Sequence, residues 1–269
     1  MNGINDVIQS TKSELKEIYE YRTIFKSLVW KDLFGRYKNS YLGFIWHFFT
    51  PILMMLVYYI GFTEIRSNSM DSFWVFLASG LFPFTFMMSS IIAGSTYVVG
   101  SAGMLQKMYF PREIVVLSRV ASSFIVMLIG YSVVLLVTII SGFQLNWFCM
   151  LVVPVIMIFM FMFALGCALL ISSMTVYVRD LQHLLSSLSV VFYFFTPMYF
   201  LASETTGILH AVVWLNPLTY YVESFHQLVY WGIMPDWLVL GMVFLLGVVL
   251  LILGWFVFNR LKHGFVERL

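Results

Sequence analysis

Residues 237–258 read WLVLGMVFLLGVVLLILGWFVF, an unbroken apolar stretch with no charged side chain. A helix rises about 1.5 Å per residue, so this stretch alone crosses the roughly 30 Å of hydrocarbon in a bilayer. It is apolar on every side, as a lipid-embedded helix is and a surface helix is not. Working outward, five more runs share its character: 41–62, 73–99, 114–140, 147–177 and 184–201. The fourth is longer than a span requires and is expected to tilt or to project beyond the membrane. None of the runs alternates over about 10 residues as a barrel strand would. The whole chain of 269 residues is 61% hydrophobic and 10% charged, against about 25% charged in soluble domains. A water-soluble enzyme is thereby excluded. The expected fold class is an all-α integral membrane protein with six transmembrane helices over residues 41–258. A polar region, 1–40, precedes them and a short tail, 259–269, follows. The first twenty residues are polar, so no cleavable secretory signal is expected.

Between the fifth and sixth runs lie two apolar stretches too short to span, 208–215 and 218–231, divided by Asn216 and Pro217. Proline disfavours helix at the residue before it. The expectation is two short re-entrant helices that dip into the interface and return. The alternative, a poorly formed seventh span, conflicts with the charge distribution. Fourteen of the fifteen Lys and Arg residues fall on one side of the six-span arrangement, and only Arg66 falls on the other. From Asp180 to Asn259 there is neither Lys nor Arg. Positive residues stay in the cytoplasm, so both termini are expected inside and residues 202–235 outside.

Two amphipathic stretches precede the first run. Thr11 and Glu14 have capping-box spacing ahead of Leu15, Ile18 and Tyr19. A second stretch begins near Thr23, where Ile24, Phe25, Leu28, Val29 and Phe34 alternate with Lys26, Lys31 and Asp32. That pattern fits a helix lying in the membrane interface with lysines toward the headgroups.

The runs hold no Asp, Glu, Lys or Arg at mid-depth. Arg119 sits one to two turns into the third run and is expected to snorkel to the cytoplasmic edge. An ion-coupled carrier needs ionisable groups at depth, and a selective channel needs a charged ring or carbonyl filter; neither pattern is present. The chain has no G-x-x-x-x-G-K-[ST] phosphate loop. Cys149 and Cys167 lie within apolar runs and make neither a metal site nor a disulfide framework. Glu204, Glu223, His210, His226 and Asn216 are the only acid/base candidates, and capping of the short helices is the simpler role for them.

Aromatic residues are abundant in the spans. Tyr58, Tyr59 and Phe62 end the first run, and Phe192, Tyr193, Phe194, Phe195 and Tyr199 cluster in the fifth. Aromatic faces stack on C–H-rich sugar faces, while Tyr offers a hydrogen-bonding tip. A corridor lined by Tyr58, Tyr59, Phe62, Phe192, Tyr193, Phe195 and Tyr199 would let a glycan slide without a tight site. Interface belts are the competing use of such residues. At the cytoplasmic edge, Arg36 and Lys38, with Tyr37 and Trp46, are placed to meet a lipid phosphate or a pyrophosphate head group. Gly43 would allow close approach between helices.

Arg36-Tyr37, then Leu42-Gly43, then Trp46, ahead of a span carrying Pro51, strongly resemble the permease subunits of polysaccharide-exporting ABC transporters. The stretch Gln106-Lys107-Met108-Tyr109-Phe110-Pro111-Arg112-Glu113 matches as well. So do Val178-Arg179-Asp180 and Leu215-Asn216-Pro217-Leu218, in the right order and on the right sides. The resemblance covers residues 22 to 230. It implies a bacterial plasma membrane protein, the transport half of an exporter of O-antigen, teichoic acid, capsule or rhamnan type. It further implies a second copy of the chain and two separate ATPase subunits, which bind ATP and Mg; no cofactor or metal is expected in this chain. Gln106, Lys107, Tyr109, Phe110, Pro111, Arg112 and Glu113 become the coupling segment that docks in the ATPase, with exposed aromatics and an arginine as an interface core wants. The substrate implied is a polysaccharide on a polyprenyl-diphosphate carrier, and no nucleic-acid partner is expected. A lipid or drug exporter of the same architecture and a membrane enzyme acting on lipid-linked sugars are the alternatives.

Overall fold

Among the described residues, four helices are long and apolar enough to cross a membrane: Phe73–Gly100, Glu113–Ile140, Trp147–Thr175 and Trp237–Gly264. The structure is a computed structural model that describes residues 13–14, 16–35, 43–46, 49, 52–53, 55–57, 59–61, 70 and 72–268, without the side chains of 44, 266 and 267. Among the described residues there is no strand. Nine of the 22 residues of the expected first span lie outside them, Tyr58 and Phe62 included, as do Thr11, Arg36, Tyr37 and Lys38; residues 52–53, 55–57 and 59–61 are helical.

The chain order is α1 (Arg22–Gly35), α2 (Phe73–Gly100), α3 (Ala102–Leu105), α4 (Glu113–Ile140), α5 (Trp147–Met150), α6 (Val153–Thr175), α7 (Leu181–Phe195), α8 (Gly207–Leu215), α9 (Pro217–Phe225), α10 (Trp237–Leu261) and α11 (Phe265–Arg268). The expected fourth run is divided, with one turn, α5, bending into α6, whose first turn takes Pro154. Proline fits there because the first helical N–H groups have no partner to lose.

Helix α2 is the centre of the bundle. Over its most apolar window it is 78% buried, against 17% for α10. It is surrounded by α4, α6, α7 and α9. Helix α10 lies along α6, with glycine on both sides of the crossing. A methyl on Gly254 would run into the Gly166 carbonyl, and one on Gly166 into the Leu250 backbone. Small residues let backbones approach where lipid supplies no hydrophobic drive between helices. The buried hydroxyls of Ser79, Ser118, Ser122, Thr138 and Ser172 donate to carbonyls three or four residues earlier. Each is satisfied within its own helix, as a polar group in a dry interior must be.

Helix α7 departs from the expected 184–201. It starts at Leu181 and stops at Phe195, about 22 Å at 1.5 Å per residue. Pro197 disfavours helix at Thr196, which is extended at φ −93° and ψ 129°. None of its fifteen residues is buried. The two short apolar stretches form α8 and α9, parted at Asn216, and α9 runs on as a π-helical turn, His226–Trp231. Asn216 accepts from the Leu218 N–H at 3.0 Å and donates to the Thr196 hydroxyl at 2.8 Å.

Candidate functional site

The segment that leads from α2 into α4 carries Gln106, Lys107 and Arg112. Helix α2 closes at Ser101, whose N–H donates to Tyr97 and Val98. One helical turn, α3, then places Leu105 inward. Beyond it Gln106, Lys107, Met108 and Tyr109 are exposed, and Tyr109 reaches 86%. The chain then turns back. Phe110 is only 5% exposed and joins the core. This corrects the expectation that both aromatics face outward: one projects and the other anchors. Pro111 and Arg112 are half-buried, and the Arg112 guanidinium lies 5.7 Å from the centre of the Phe265 ring.

Glu113 opens α4 and is buried. A carboxylate suits that position, because the first N–H groups of a helix carry partial positive charge. Lys262, just past α10, donates to Glu113 at 2.7 Å and to Glu14 at 3.0 Å. Asn259 donates to the other oxygen of Glu14 at 2.6 Å. Glu14, expected in a capping box, is thus bound to the end of α10. Of the predicted coupling residues, Gln106, Lys107 and Tyr109 form an outward tip, while Phe110 and Glu113 form its buried base. A cleft of about 210 Å3 opens beside the base, between Glu14 and Glu17, residues 109–113, and Lys262 with His263.

Arg119 does not snorkel free. Its guanidinium donates to both carboxylate oxygens of Asp32 on α1, and the two side chains are only 10% and 12% exposed. The Tyr97 ring lies 5.6 Å from the same guanidinium. Helix α1 packs on α4 through Leu28, Val29 and Leu33, leaving Trp30 and Phe34 exposed. Helix α1 is therefore fixed to the bundle by a buried ion pair as well as by apolar contact. Part of this had a signal in the sequence: an arginine within an apolar run needs a partner, although the run itself does not name which one.

Among the expected corridor aromatics, Tyr59 is exposed and Phe192, Tyr193, Phe195 and Tyr199 are half-buried. Tyr193 packs edge-on against Phe84 of α2 with centroids 5.7 Å apart. The Tyr199 hydroxyl donates to the Phe194 carbonyl at 2.9 Å. Phe194, left out of the corridor set, is the most exposed aromatic of α7 at 60%. Trp46 is half-buried, edge-on to Phe49. Gly43 opens a single 3-10 turn, Gly43–Ile45. Its φ is +47°, and among the described residues nothing lies within 4 Å of a methyl built there. Glycine reaches that left-handed backbone without steric cost.

The acid/base candidates do not converge. His210 pairs with the Thr205 hydroxyl at 3.2 Å, and Asn216 caps α9. His226 is fully buried, stacked 3.8 Å from Phe76 with its Nδ1 3.7 Å from Glu223.

The profile of the ABC-2 type transporter family matches residues 23–230. The O-antigen export system permease protein RfbA of Myxococcus xanthus is 28% identical over 257 residues, covering 95% of this chain and 98% of the relative. An RfbA of Klebsiella pneumoniae is 27% identical over 260 residues, with 95% and 99% covered. The capsule polysaccharide export inner-membrane protein CtrC of Neisseria meningitidis is 22% identical over 261 residues, with 94% and 96% covered.

Proposed function

The chain belongs to the ABC-2 type transporter family, and on that premise we propose that it is the transmembrane subunit of an ATP-driven polysaccharide exporter in the bacterial plasma membrane. The cargo is a polysaccharide on a polyprenyl-diphosphate carrier, moved outward from the cytoplasm. Relatives matched over nearly their whole length carry O-antigen or capsule export in their names. The working unit is two copies of this chain with two ATPase subunits, which bind the ATP and Mg. Both termini are cytoplasmic.

The observation that carries the reading is the exposed tip at Lys107–Tyr109 standing on the buried base of Phe110 and Glu113. A bare aromatic beside a cation, on a fixed support, is what a protein partner grips. Nucleotide-driven closure of the ATPases pushes on this tip. The load enters the first turn of α4 through Glu113 and spreads to α1 through Arg119 and Asp32. Arg36 and Lys38 then receive the anionic head group of the carrier, while its tail stays in lipid. The aromatics of the first span and of α7 line the path of the glycan.

The test is genetic and biochemical together. Deleting the gene should remove surface polysaccharide and leave polymer inside the cell. Lys107→Ala with Tyr109→Ala should abolish co-purification of an ATP-binding subunit while the permease still inserts. Sensitivity to drugs without loss of surface glycan would favour a drug or lipid exporter instead. Undiminished ATPase recovery from the double variant would overturn the docking assignment.

A further inference from the structure

The C-terminal end of α10 and the residues after it are tied to the 106–113 segment and to its neighbours. Lys262 bridges Glu113 and Glu14. The Tyr177 hydroxyl, beyond α6, donates to the Leu261 carbonyl at 3.0 Å. Arg268 lies over the Tyr177 ring at 4.7 Å. Phe265 is fully buried, edge-on to Phe258 and beneath Arg112. Residues 259–268 thus hold three elements at once: the helical residues around Glu14, the start of α4 and the end of α6.

The central contact is the most consequential. The Glu113 side chain is 4% exposed, and Lys262 is its one cationic partner among the described residues. Removing one member of a buried pair leaves a charge without compensation. Glu113 would then have to draw in water to satisfy its charge, and the base of the 106–113 segment would shift with it. We propose that Lys262 is a positioning residue for coupling. By bridging Glu113 and Glu14 it keeps the 106–113 segment in register with the end of α10, so that a push on Tyr109 reaches the last span as well as α4. This rests on the reading that the segment docks an ATPase.

The test uses the full-length permease with its ATPase and compares Lys262→Met with Lys262→Arg. Spin labels on Met108→Cys and His263→Cys, in the permease alone, report the distance from tip to tail. Lys262→Met should widen that distance distribution at least twofold and lower surface polysaccharide at least fivefold. ATPase co-purification should stay within twofold of wild type, because Lys107 and Tyr109 are untouched. Lys262→Arg should bring both measures back to within twofold. If Lys262→Met leaves the distances or the surface polymer within twofold, or if arginine fails to rescue, the assignment is wrong. A wild-type permease that retains no ATPase overturns the docking reading and the coupling role with it. Unchanged label distances with docking intact overturn the Lys262 role alone. If Lys262→Met does not accumulate in membranes, Glu14→Gln, which removes one arm of the bridge, is judged by the same thresholds.

Discussion

At one end of the bundle Asp32, Arg119, Glu113, Glu14 and Lys262 tie α1, α4 and α10 together with buried and half-buried charge. At the other end the ties are neutral. Asn146 donates to the Gly232 carbonyl at 2.9 Å, the Cys149 thiol donates to the same oxygen at 3.2 Å, and Asn216 links α9 to Thr196. The difference lies in how each end yields. A neutral bond that is lost can be replaced by water at modest cost. A buried charge that loses its partner is a strongly unfavourable state, so the whole contact shifts together. The charged end therefore behaves as a stiff unit able to pass on a displacement. The neutral end can adjust locally.

The largest effect is expected from Arg119→Met. It takes the guanidinium away from the Asp32 carboxylate, and breaking a buried ion pair from one side costs about 3–5 kcal/mol. SDS-titration unfolding of the purified permease measures it. Adding Asp32→Leu should recover most of the loss, since an apolar replacement of both partners is often neutral or better. A single-variant loss below about 1 kcal/mol would mean that α1 is held by Leu28, Val29 and Leu33 and not by the ion pair, and the contrast between the ends would weaken. Asn216→Ala comes next. It removes the cap of α9 and the bond to Thr196, for about 1–2 kcal/mol in the same assay. An Asn216 effect as large as that of Arg119 would erase the distinction.

What hydropathy could and could not foretell follows the same division. The ends of α2, α4 and α10 fall within a few residues of the apolar runs, because a span must be apolar and its flanks need not be. The break at Asn216 was legible because Pro217 restricts the residue before it. The ion pairs were not legible as pairs. Arg119 and Asp32 are 87 residues apart, and Lys262 and Glu113 are 149 apart, and periodicity within a segment carries no information about which distant segment lies against it. The 106–113 segment was identifiable as a polar, aromatic connection. Its division into tip and base was not, since Tyr109 and Phe110 are adjacent aromatics whose opposite fates are decided by the turn at Pro111. The early stop of α7 was within reach, because Pro197 lay inside the run assigned to it.

Cys149→Ala sharpens the neutral side of the comparison. The thiol is a weak donor in a packed site, and Asn146 already serves the same carbonyl. The expected cost is about 1 kcal/mol or less, below that of Asn216→Ala, with surface polysaccharide unchanged.

The smallest effect on stability is expected where the effect on function is greatest. Tyr109 is 86% exposed and touches little of its own chain, so Tyr109→Ala should change unfolding stability by no more than about 0.5 kcal/mol, as exposed sites do. Its neighbour Phe110 is buried in the core, and Phe110→Ala should cost about 3–5 kcal/mol by loss of apolar contact and the cavity left behind. The two substitutions differ by one position and should separate docking from folding. Tyr109→Ala should lower recovery of the ATPase subunit at least tenfold with the permease fully folded. Phe110→Ala should lower the amount of folded permease, while the fraction that does fold still captures its partner through Tyr109. If both variants lose the partner in proportion to lost stability, the tip has no binding role of its own and the charged end is a structural clamp alone.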